Sequence, residues 1–323
     1  MPRDVMSGTA EATEFYARVI KRLGRNAREG EHGLLDNDDS ARLWRELLAD
    51  RFTPAQEAAL LMGLRVHGES AAMLAAFARV TLSSSLRVLA PAGPAVVVLH
   101  CLGTARKQPI LAPLLALALA RDGVPVLVIT HDAQRGANTT AVLGALGARP
   151  VAGAEEAAAA LADQRFAWMP VQRMAPDLAR VLARRAELGF RNSAHSLIKL
   201  LVPVVGRSLV VANYTHAPYR QSFVQAAQLL KLSALLVRGT EGDPIAWESD
   251  AHPLLAWLDG QPAELPIQMG DPARERIEFP AAGDIEATAR FCESVLSGVV
   301  PMPAAIGRQQ ACLVHLAFQA MTR

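Results

Sequence analysis

Residues 96–130 read VVVLHCLGTARKQPILAPLLALALARDGVPVLVIT, and this stretch decides the fold. Two short aliphatic runs, residues 96–99 and 124–130, enclose a helical pattern at residues 110–121. Continuous apolar strands that alternate with helices are typical of a parallel sheet covered on both faces. The stretch therefore predicts a strand–helix–strand unit of an α/β fold.

The same alternation continues beyond this unit. Helices are expected at residues 139–146, 154–164 and 219–231, and strands at residues 167–169, 209–212 and 234–238. Residues 262–280 are rich in turn-forming residues and are expected to be irregular. The pattern predicts a larger α/β domain with a mainly parallel central sheet, comprising residues 87–173 and 201–323.

Residues 1–86 carry a different pattern, which predicts a small all-helical domain. Amphipathic helices are expected at residues 13–23, 40–49 and 54–67, and a fourth follows Ser70 as its N-cap. The third has Thr53 as N-cap, Pro54 at its first position and Gln56 closing a capping box. We expect residues 174–200, with helices at 176–188 and 193–201, to pack on this domain.

Charge is unevenly distributed along the chain. Residues 81–240 hold 17 Lys and Arg against 7 Asp and Glu, although the whole chain holds 33 and 31. Such an excess favours phosphate-rich partners and attracts them over roughly 8 to 10 Å at ordinary salt. The alternative, that these are scattered and solvated surface charges, stays open at this point.

Several classes of protein are disfavoured by composition. The longest apolar run, residues 110–120, is far shorter than the roughly 20 residues of a membrane span, and no signal pattern opens the chain. We expect a cytoplasmic protein without a membrane partner. Cys101, Cys292 and Cys312 form no CxxC pair, so they are expected to be buried or reduced. His100 and Cys101 are strand neighbours that point to opposite faces, which disfavours a nucleophile–base pair.

Four segments together resemble the glycosyltransferase family that has the anthranilate phosphoribosyltransferase and nucleoside phosphorylase fold. They are residues 55–70 (AQEAALLMGLRVHGES), 102–107 (LGTARK), 130–135 (THDAQR) and 188–203 (LGFRNSAHSLIKLLVP). Together with LVRGTEG at residues 236–242, the last segment looks like the YbiB-type proteins, a paralogous group. The resemblance implies homodimers, formed through the N-terminal helical domain, that bind DNA or RNA with little sequence preference.

The first loop departs from the enzymes of this family. They have Gly-Thr-Gly-Gly-Asp, where uncovered backbone amides approach a diphosphate. Here the loop is Gly103, Thr104, Ala105, Arg106 and Lys107. Two glycines and an acid are replaced, so a close backbone approach is hindered and positive charge is gained. A phosphate is therefore expected to bind through long side chains.

The acidic pair that holds Mg²⁺ in these enzymes is also altered. The matching stretch, residues 241–245, contains Glu241 and Asp243 but no adjacent acids. Mg²⁺ needs hard oxygen ligands, so no metal or other cofactor is expected, and Mg²⁺ belongs only to the transferase alternative below. Binding by Glu241 and Asp243 in another register stays open, although Asp243 before Pro244 also fits a turn.

The strongest candidate for function is a basic stretch at residues 173–199. We expect its two helices to present a rim beside the loops that carry Arg106, Lys107 and Arg135. Two ordinary amphipathic helices are the alternative, with Glu187 pairing to Arg184 or Arg191. His131 is equally open to a structural role. The candidate phosphate-binding residues are Gly103, Thr104, Arg106, Lys107, His131, Arg135, Asn138, Arg173, Arg184, Arg191, Asn192, His195 and Lys199.

These observations favour sequence-nonspecific binding of DNA or RNA, mainly through the phosphate backbone, in a basic groove without catalytic residues. Aromatic residues make up only 5% of the chain, so extensive base stacking is not expected. One alternative is a glycosyl or phosphoribosyl transferase acting on a phosphorylated sugar donor, in which the retained cations stabilise the leaving phosphate. Another is an interaction scaffold that dimerises through residues 40–80.

Overall fold

The computed structural model describes residues 10–24, 35–131, 136–215, 217–239, 243–247, 253–267 and 277–321. A helical unit opens the chain, and an α/β unit with a mostly parallel sheet follows, which confirms the predicted fold class. No helix within these ranges is long and apolar enough to cross a membrane.

The helical unit begins with four helices: α1 (Ala10–Leu23), α2 (Asn37–Leu48), α3 (Pro54–His67) and α4 (Ala71–Ser84). The capping box predicted for α3 is present in both directions between Thr53 and Gln56. Ser70 caps α4 by accepting a hydrogen bond from the backbone N–H of Met73. The rings of Trp44 and Phe77 stack 4.5 Å apart and hold α2 against α4.

A seven-stranded sheet forms the centre of the α/β unit. Its parallel strands are β2 (Val96–Cys101), β3 (Val126–Thr130), β4 (Phe166–Pro170), β6 (Ser208–Tyr214) and β7 (Ala234–Arg238), and its antiparallel strands are β8 (Leu255–Leu258) and β9 (Gln261–Ala263). The order across the sheet is β4-β3-β2-β6-β7-β8-β9. A separate parallel pair joins β1 (Val88–Leu89) to β5 (Val204–Val205).

Helices cover both faces of this sheet. They are α5 (Ala112–Arg121), α6 (Thr139–Ala145), α7 (Ala154–Asp163), α12 (Ala217–Leu229), α13 (Ile285–Leu296) and α14 (Ala304–Gln319). Helices α13 and α14 were not predicted from the sequence. Alternate residues of β2 enter different cores, Val98 on one face and Val97 on the other. The ring of His100 lies on one face of the sheet, where its Nε2 is hydrogen-bonded to the carbonyl oxygen of Leu201. The side chain of Cys101 packs on the opposite face, as predicted.

Between β4 and β5 the chain returns to the helical unit through α8 (Val171–Met174), α9 (Pro176–Ala183), α10 (Arg185–Leu188), α11 (Ser193–Leu197) and a 3₁₀ turn (Ile198–Leu200). Two continuous helices were predicted here, so this prediction is corrected. The first is interrupted at Arg184, and the second tightens at Ile198. Helix α9 packs on α2, and α11 packs on α3 and α4. The residue numbers at which the chain divides into domains stay a prediction.

Candidate nucleic-acid interface

Several of the candidate residues lie at the carboxyl edge of the parallel sheet, where α/β proteins usually bind ligands. Strand β2 leads into the loop with Gly103, Thr104, Arg106 and Lys107, and the last two side chains are exposed. Thr104 forms a β-bridge with Asn138. The loop is therefore anchored against the segment that follows β3, and its two cations extend from this anchor.

Arg191, on the turn between α10 and α11, is the centre of a group of positive charges. Burial lowers the pKa of Arg191, and the positive charges of Arg185, Arg106 and Arg65 lower it further. The pKa of Arg185 is lowered by burial and then by Arg106. Such an effect of one guanidinium group on another requires the two groups to lie close together. We call Arg65, Arg106, Arg185 and Arg191 the arginine cluster.

Two members of the arginine cluster, Arg185 and Arg191, are not neutralised by acidic side chains of the described residues. Within the described ranges, neither Arg185 nor Arg191 forms an ion pair with an acid. One terminal nitrogen of Arg185, Nη1, is buried and has no hydrogen-bond partner there. An unsatisfied buried donor on a charged group is costly. This arrangement is therefore typical of a surface that receives an anion.

A pocket of about 110 Å³ opens beside the arginine cluster. Two cluster members, Arg65 and Arg191, lie on its wall together with polar and aromatic side chains. Arg65 also donates a 2.5 Å hydrogen bond to the hydroxyl of Tyr219, which links α3 to α12. The pocket thus lies where the helical unit meets the carboxyl edge of the sheet.

His195 lines this pocket and is only 7% exposed. The amide of Asn192 donates to the carbonyl of Val181 at 2.7 Å, and its oxygen accepts from the backbone N–H of Ala194 at 3.1 Å. This fixes the orientation of Asn192, so its Oδ1 accepts a hydrogen bond from His195 Nδ1 at 3.2 Å. Burial and the charge of Arg191 lower the pKa of His195 to about 3. At neutral pH the ring is uncharged, and Nε2 is an acceptor.

Lys199 also lies deeper than the sequence indicated. Its ammonium donates to the carbonyl of Asn213 at 2.9 Å and lies 5.8 Å from the ring centre of Phe223. Burial and the charge of Arg191 lower its pKa to about 7. His195 and Lys199 therefore line the pocket and do not form an exposed rim, which corrects that part of the prediction.

Arg184 is held by acids and not by the arginine cluster. Its Nε donates to Oε2 of Glu57 at 2.9 Å, and its Nη1 lies 3.2 Å from Glu187. Arg180 pairs with Glu57 and Asp50, each at 3.1 Å. Glu57 is only 4% exposed. These contacts fasten α9 to α3, so the pairing of Arg184 with Glu187, left open by the sequence, is the observed one.

Three further candidates have local roles. Asn138 caps α6 by accepting from the backbone N–H of Ala141 at 3.0 Å. Arg173 donates to the carbonyl of Val151 at 2.6 Å. His131 is buried, and its charge contributes to the low pKa of His195, which places the two rings near each other. Arg135 lies outside the described residues.

Two members of the arginine cluster, Arg65 and Arg185, were not predicted from the sequence. Arg65 lies within the quoted segment 55–70, so a search of that segment for cations would have found it. Arg185 was passed over because an unbroken helix at 176–188 placed its neighbour Arg184 on the basic face. The interruption at Arg184 leaves no such face.

The described residues do not provide a magnesium site. They contain no group of three or more His, Cys, Asp or Glu side chains placed to hold a metal. Asp243 is buried, and its charge helps to raise the pKa of Cys101. Glu241 lies outside the described residues. The acidic side chains of the described residues are therefore not arranged to bind Mg²⁺ as in the related enzymes.

Residues 18–85 match the model of a glycosyl transferase family, helical bundle domain. Over 311 residues the chain is 30% identical to the uncharacterised protein YbiB of Escherichia coli K12, with 95% of this chain and 96% of the relative covered. The chain belongs to the YbiB group of this glycosyltransferase family. The YbiB group also has more distant enzyme relatives: anthranilate phosphoribosyltransferase of Rhodospirillum rubrum is 27% identical over 82% of this chain and 77% of its own length.

Solved structures show the same fold. Anthranilate phosphoribosyltransferase from Thermus thermophilus superposes with a TM-score of 0.69 at 21% identity, covering 95% of this chain and 89% of that one. The enzyme from Saccharomyces cerevisiae in complex with PRPP and Mg gives 0.70 at 17% identity, with 97% and 92% covered. This member of the YbiB group therefore has a phosphoribosyltransferase-like fold.

Proposed function

We propose that this protein binds nucleic acid without sequence preference, through the phosphate backbone, and that DNA is one of its ligands. The observation that carries the proposal is the arginine cluster, in which Arg185 Nη1 is buried without a hydrogen-bond partner and neither Arg185 nor Arg191 has an acidic partner in the described residues. Burial and the neighbouring positive charges lower the pKa of both. A phosphate backbone supplies the missing negative charge. The resemblance to YbiB-type proteins implies the same function.

The surroundings of the cluster also support a polyanion. Arg106 and Lys107 are exposed on the loop after β2, and they extend the positive surface beyond the half-buried Arg191. Guanidinium groups bind phosphate oxygens with two parallel hydrogen bonds, which favours arginine in this role. Contacts to phosphate carry no base information, so little sequence preference is expected.

Salt dependence tests the proposal directly. A fluorescent duplex and a single strand of mixed sequence are titrated with the protein at several salt concentrations. About six phosphate contacts give a slope of log affinity against log salt near −5 for duplex DNA. A slope near zero, or no binding at low salt, overturns the proposal.

A charge reversal locates the interface. The double variant Arg106→Glu and Lys107→Glu is expected to weaken binding by at least about tenfold, because two attractive contacts become repulsive. The matched control is the double variant Arg149→Glu and Arg207→Glu, which makes the same change in net charge at two other exposed positions. Arg207 directly precedes β6, at the opposite end of the sheet. Equal losses in the two variants place the interface elsewhere.

We also propose a homodimer that forms through the helical unit. Met62 and Val66 lie one turn apart on α3 and are 46% and 76% exposed, which is unusual for neighbouring apolar side chains. A second copy that covers this face removes them from water. Light scattering is expected to give twice the monomer mass, and Met62→Lys with Val66→Lys to give the monomer. A monomeric parent protein contradicts this arrangement.

A phosphoribosyl transferase remains the second candidate, and the pocket at the carboxyl edge of the sheet is the observation in its favour. Calorimetry with PRPP, with and without Mg²⁺, and a turnover assay decide between the candidates. Tight metal-dependent binding with turnover replaces our proposal by the transferase.

A further inference from the structure

The positive charges of the arginine cluster act together on Arg191. Arg65, Arg106 and Arg185 all act on the pKa of Arg191, and Arg191 in turn lowers the pKa of His195 and Lys199. A strand backbone that merely lies along a surface presents single charges one after another. A group of cations around one central arginine matches instead a single ligand that carries more than one negative charge.

Two further observations point to such a ligand. Arg185 Nη1 is buried without a partner in the described part of the chain, so an acceptor is missing at that atom. Glu69, an acid that lines the same pocket as Arg65, has its pKa raised, mainly by burial. Glu69 faces Arg65, Arg191 and Lys199 among the described residues that line this pocket, so positive charge is in excess there.

We propose that the arginine cluster recognises a terminal phosphate monoester, so that the protein binds phosphorylated ends of nucleic acid strands in preference to internal positions. This inference rests on the proposed nucleic-acid binding. A monoester carries close to two negative charges at neutral pH and three acceptor oxygens, whereas an internal phosphodiester carries one charge and two free oxygens. The monoester therefore satisfies more guanidinium donors and removes more of the repulsion.

Free phosphate and nucleotides share this chemistry, so the experiment separates the sources. One single-stranded 12-mer with an internal fluorophore is prepared with hydroxyl ends, with a 5′-phosphate and with a 3′-phosphate. A 13-mer with hydroxyl ends adds one internal phosphodiester and controls for the added length and for one added charge. We expect one phosphorylated end to raise affinity about tenfold, as for added charge-assisted hydrogen bonds, and the 13-mer to raise it less than twofold.

Variants assign the preference to the cluster. Arg191→Gln and, separately, Arg185→Gln are expected to abolish the tenfold preference while a weaker, salt-dependent binding of all strands remains. Arg149→Gln, an exposed arginine outside the cluster, is the control and is expected to keep it. Circular dichroism establishes that each variant is folded. Inorganic phosphate at millimolar concentration is expected to erase the preference without displacing the strand.

The outcomes separate the two proposals. Tight binding that is equal for all ends overturns the monoester site and leaves the nucleic-acid function standing. A preference that survives in both cluster variants also overturns the site. If no strand binds at low salt, both proposals fall, and calorimetry with inorganic phosphate then shows whether the cluster takes a free anion only.

Discussion

Arg184 and Arg185 are adjacent in the chain, yet their guanidinium groups lie in opposite electrostatic environments. Arg184 is paired with Glu57 and Glu187, and these acids raise its pKa. Arg185 has its pKa lowered by burial and by Arg106. The same residue type therefore fastens α9 to α3 at one position and leaves charge available at the next.

This difference shows that a count of basic residues does not locate a phosphate site. Residues 81–240 contain 17 Lys and Arg, but part of that charge is neutralised within the protein. Arg180 and Arg184 share the buried carboxylate of Glu57. Charge without an internal partner is what a polyanion can use, so acid-paired and acid-free arginines are expected to respond differently to substitution.

The largest effect is expected for Glu57→Gln. The variant leaves Arg180 and Arg184 without their buried acceptor, so the free energy of unfolding falls by about 3 kcal/mol. Urea unfolding measures it, and the control Glu293→Gln, at an exposed position of α13, changes it by less than about 0.5 kcal/mol. If both variants are equally stable, the pairing does not hold the helical unit together.

Substituting each of the two neighbours separates the two environments. Arg185→Gln is expected to weaken strand binding by about 5- to 10-fold and to reduce the salt slope by about 1, without loss of stability because a repelling charge is removed. Arg184→Gln is expected to lower stability by about 1–3 kcal/mol and to leave the affinity of the folded protein unchanged. Urea unfolding and fluorescence titration on both variants measure this. If Arg184→Gln weakens strand binding and Arg185→Gln lowers stability, the two arginines do not have the different roles described above.

A smaller effect is expected from pH. The pKa of Lys199 is lowered to about 7, so its ammonium is mostly charged at pH 6 and mostly neutral at pH 8. Strand affinity should therefore fall a few-fold as pH rises from 6 to 8. His195 does not contribute, because its pKa of about 3 keeps it neutral throughout. In fluorescence titrations, the strand affinity of Lys199→Met should not fall between pH 6 and pH 8. If it falls as much as in the parent protein, another group causes the pH dependence.

The smallest effect is expected for Glu187→Gln. Glu187 is paired with Arg184 at 3.2 Å, but its side chain is 68% exposed. Exposed ion pairs contribute little because water and salt screen them, so the free energy of unfolding should change by less than about 0.5 kcal/mol. A loss near that of Glu57→Gln shows that burial does not decide the strength of these pairs.

Local signals made much of the fold predictable. Helix α3 has its predicted bounds because Thr53, Pro54 and Gln56 specify its start and Gly68 follows its end. Helices α13 and α14 were missed, although Asp284 caps the first and Pro303 precedes the second. The strand–helix alternation ends at β7, so it gave no expectation for the residues beyond it.

The site was less predictable because its electrostatics depend on distant residues. The loop cations Arg106 and Lys107 were found from the family pattern, but the partner of Arg184 lies 127 positions away in the chain. Helical spacing alone placed Arg184 on the binding face. The burial of His195 and Lys199 depends on residues far away in the chain that line the same pocket, such as Arg65 and Tyr219, and no local sequence pattern indicated it.

The chain leaves the helical unit after α4, where β1 later pairs with β5, and returns to this unit only at α9 and α11. The helical unit is therefore completed late during synthesis of the chain. Helices α1 to α4 leave the ribosome first, but the surfaces of α2, α3 and α4 that α9 and α11 cover stay open until about residue 200 has emerged. Until then Glu57 lacks both of its arginines. Because domains fold as units during translation, the helical unit reaches its native packing only after most of the parallel strands have been made.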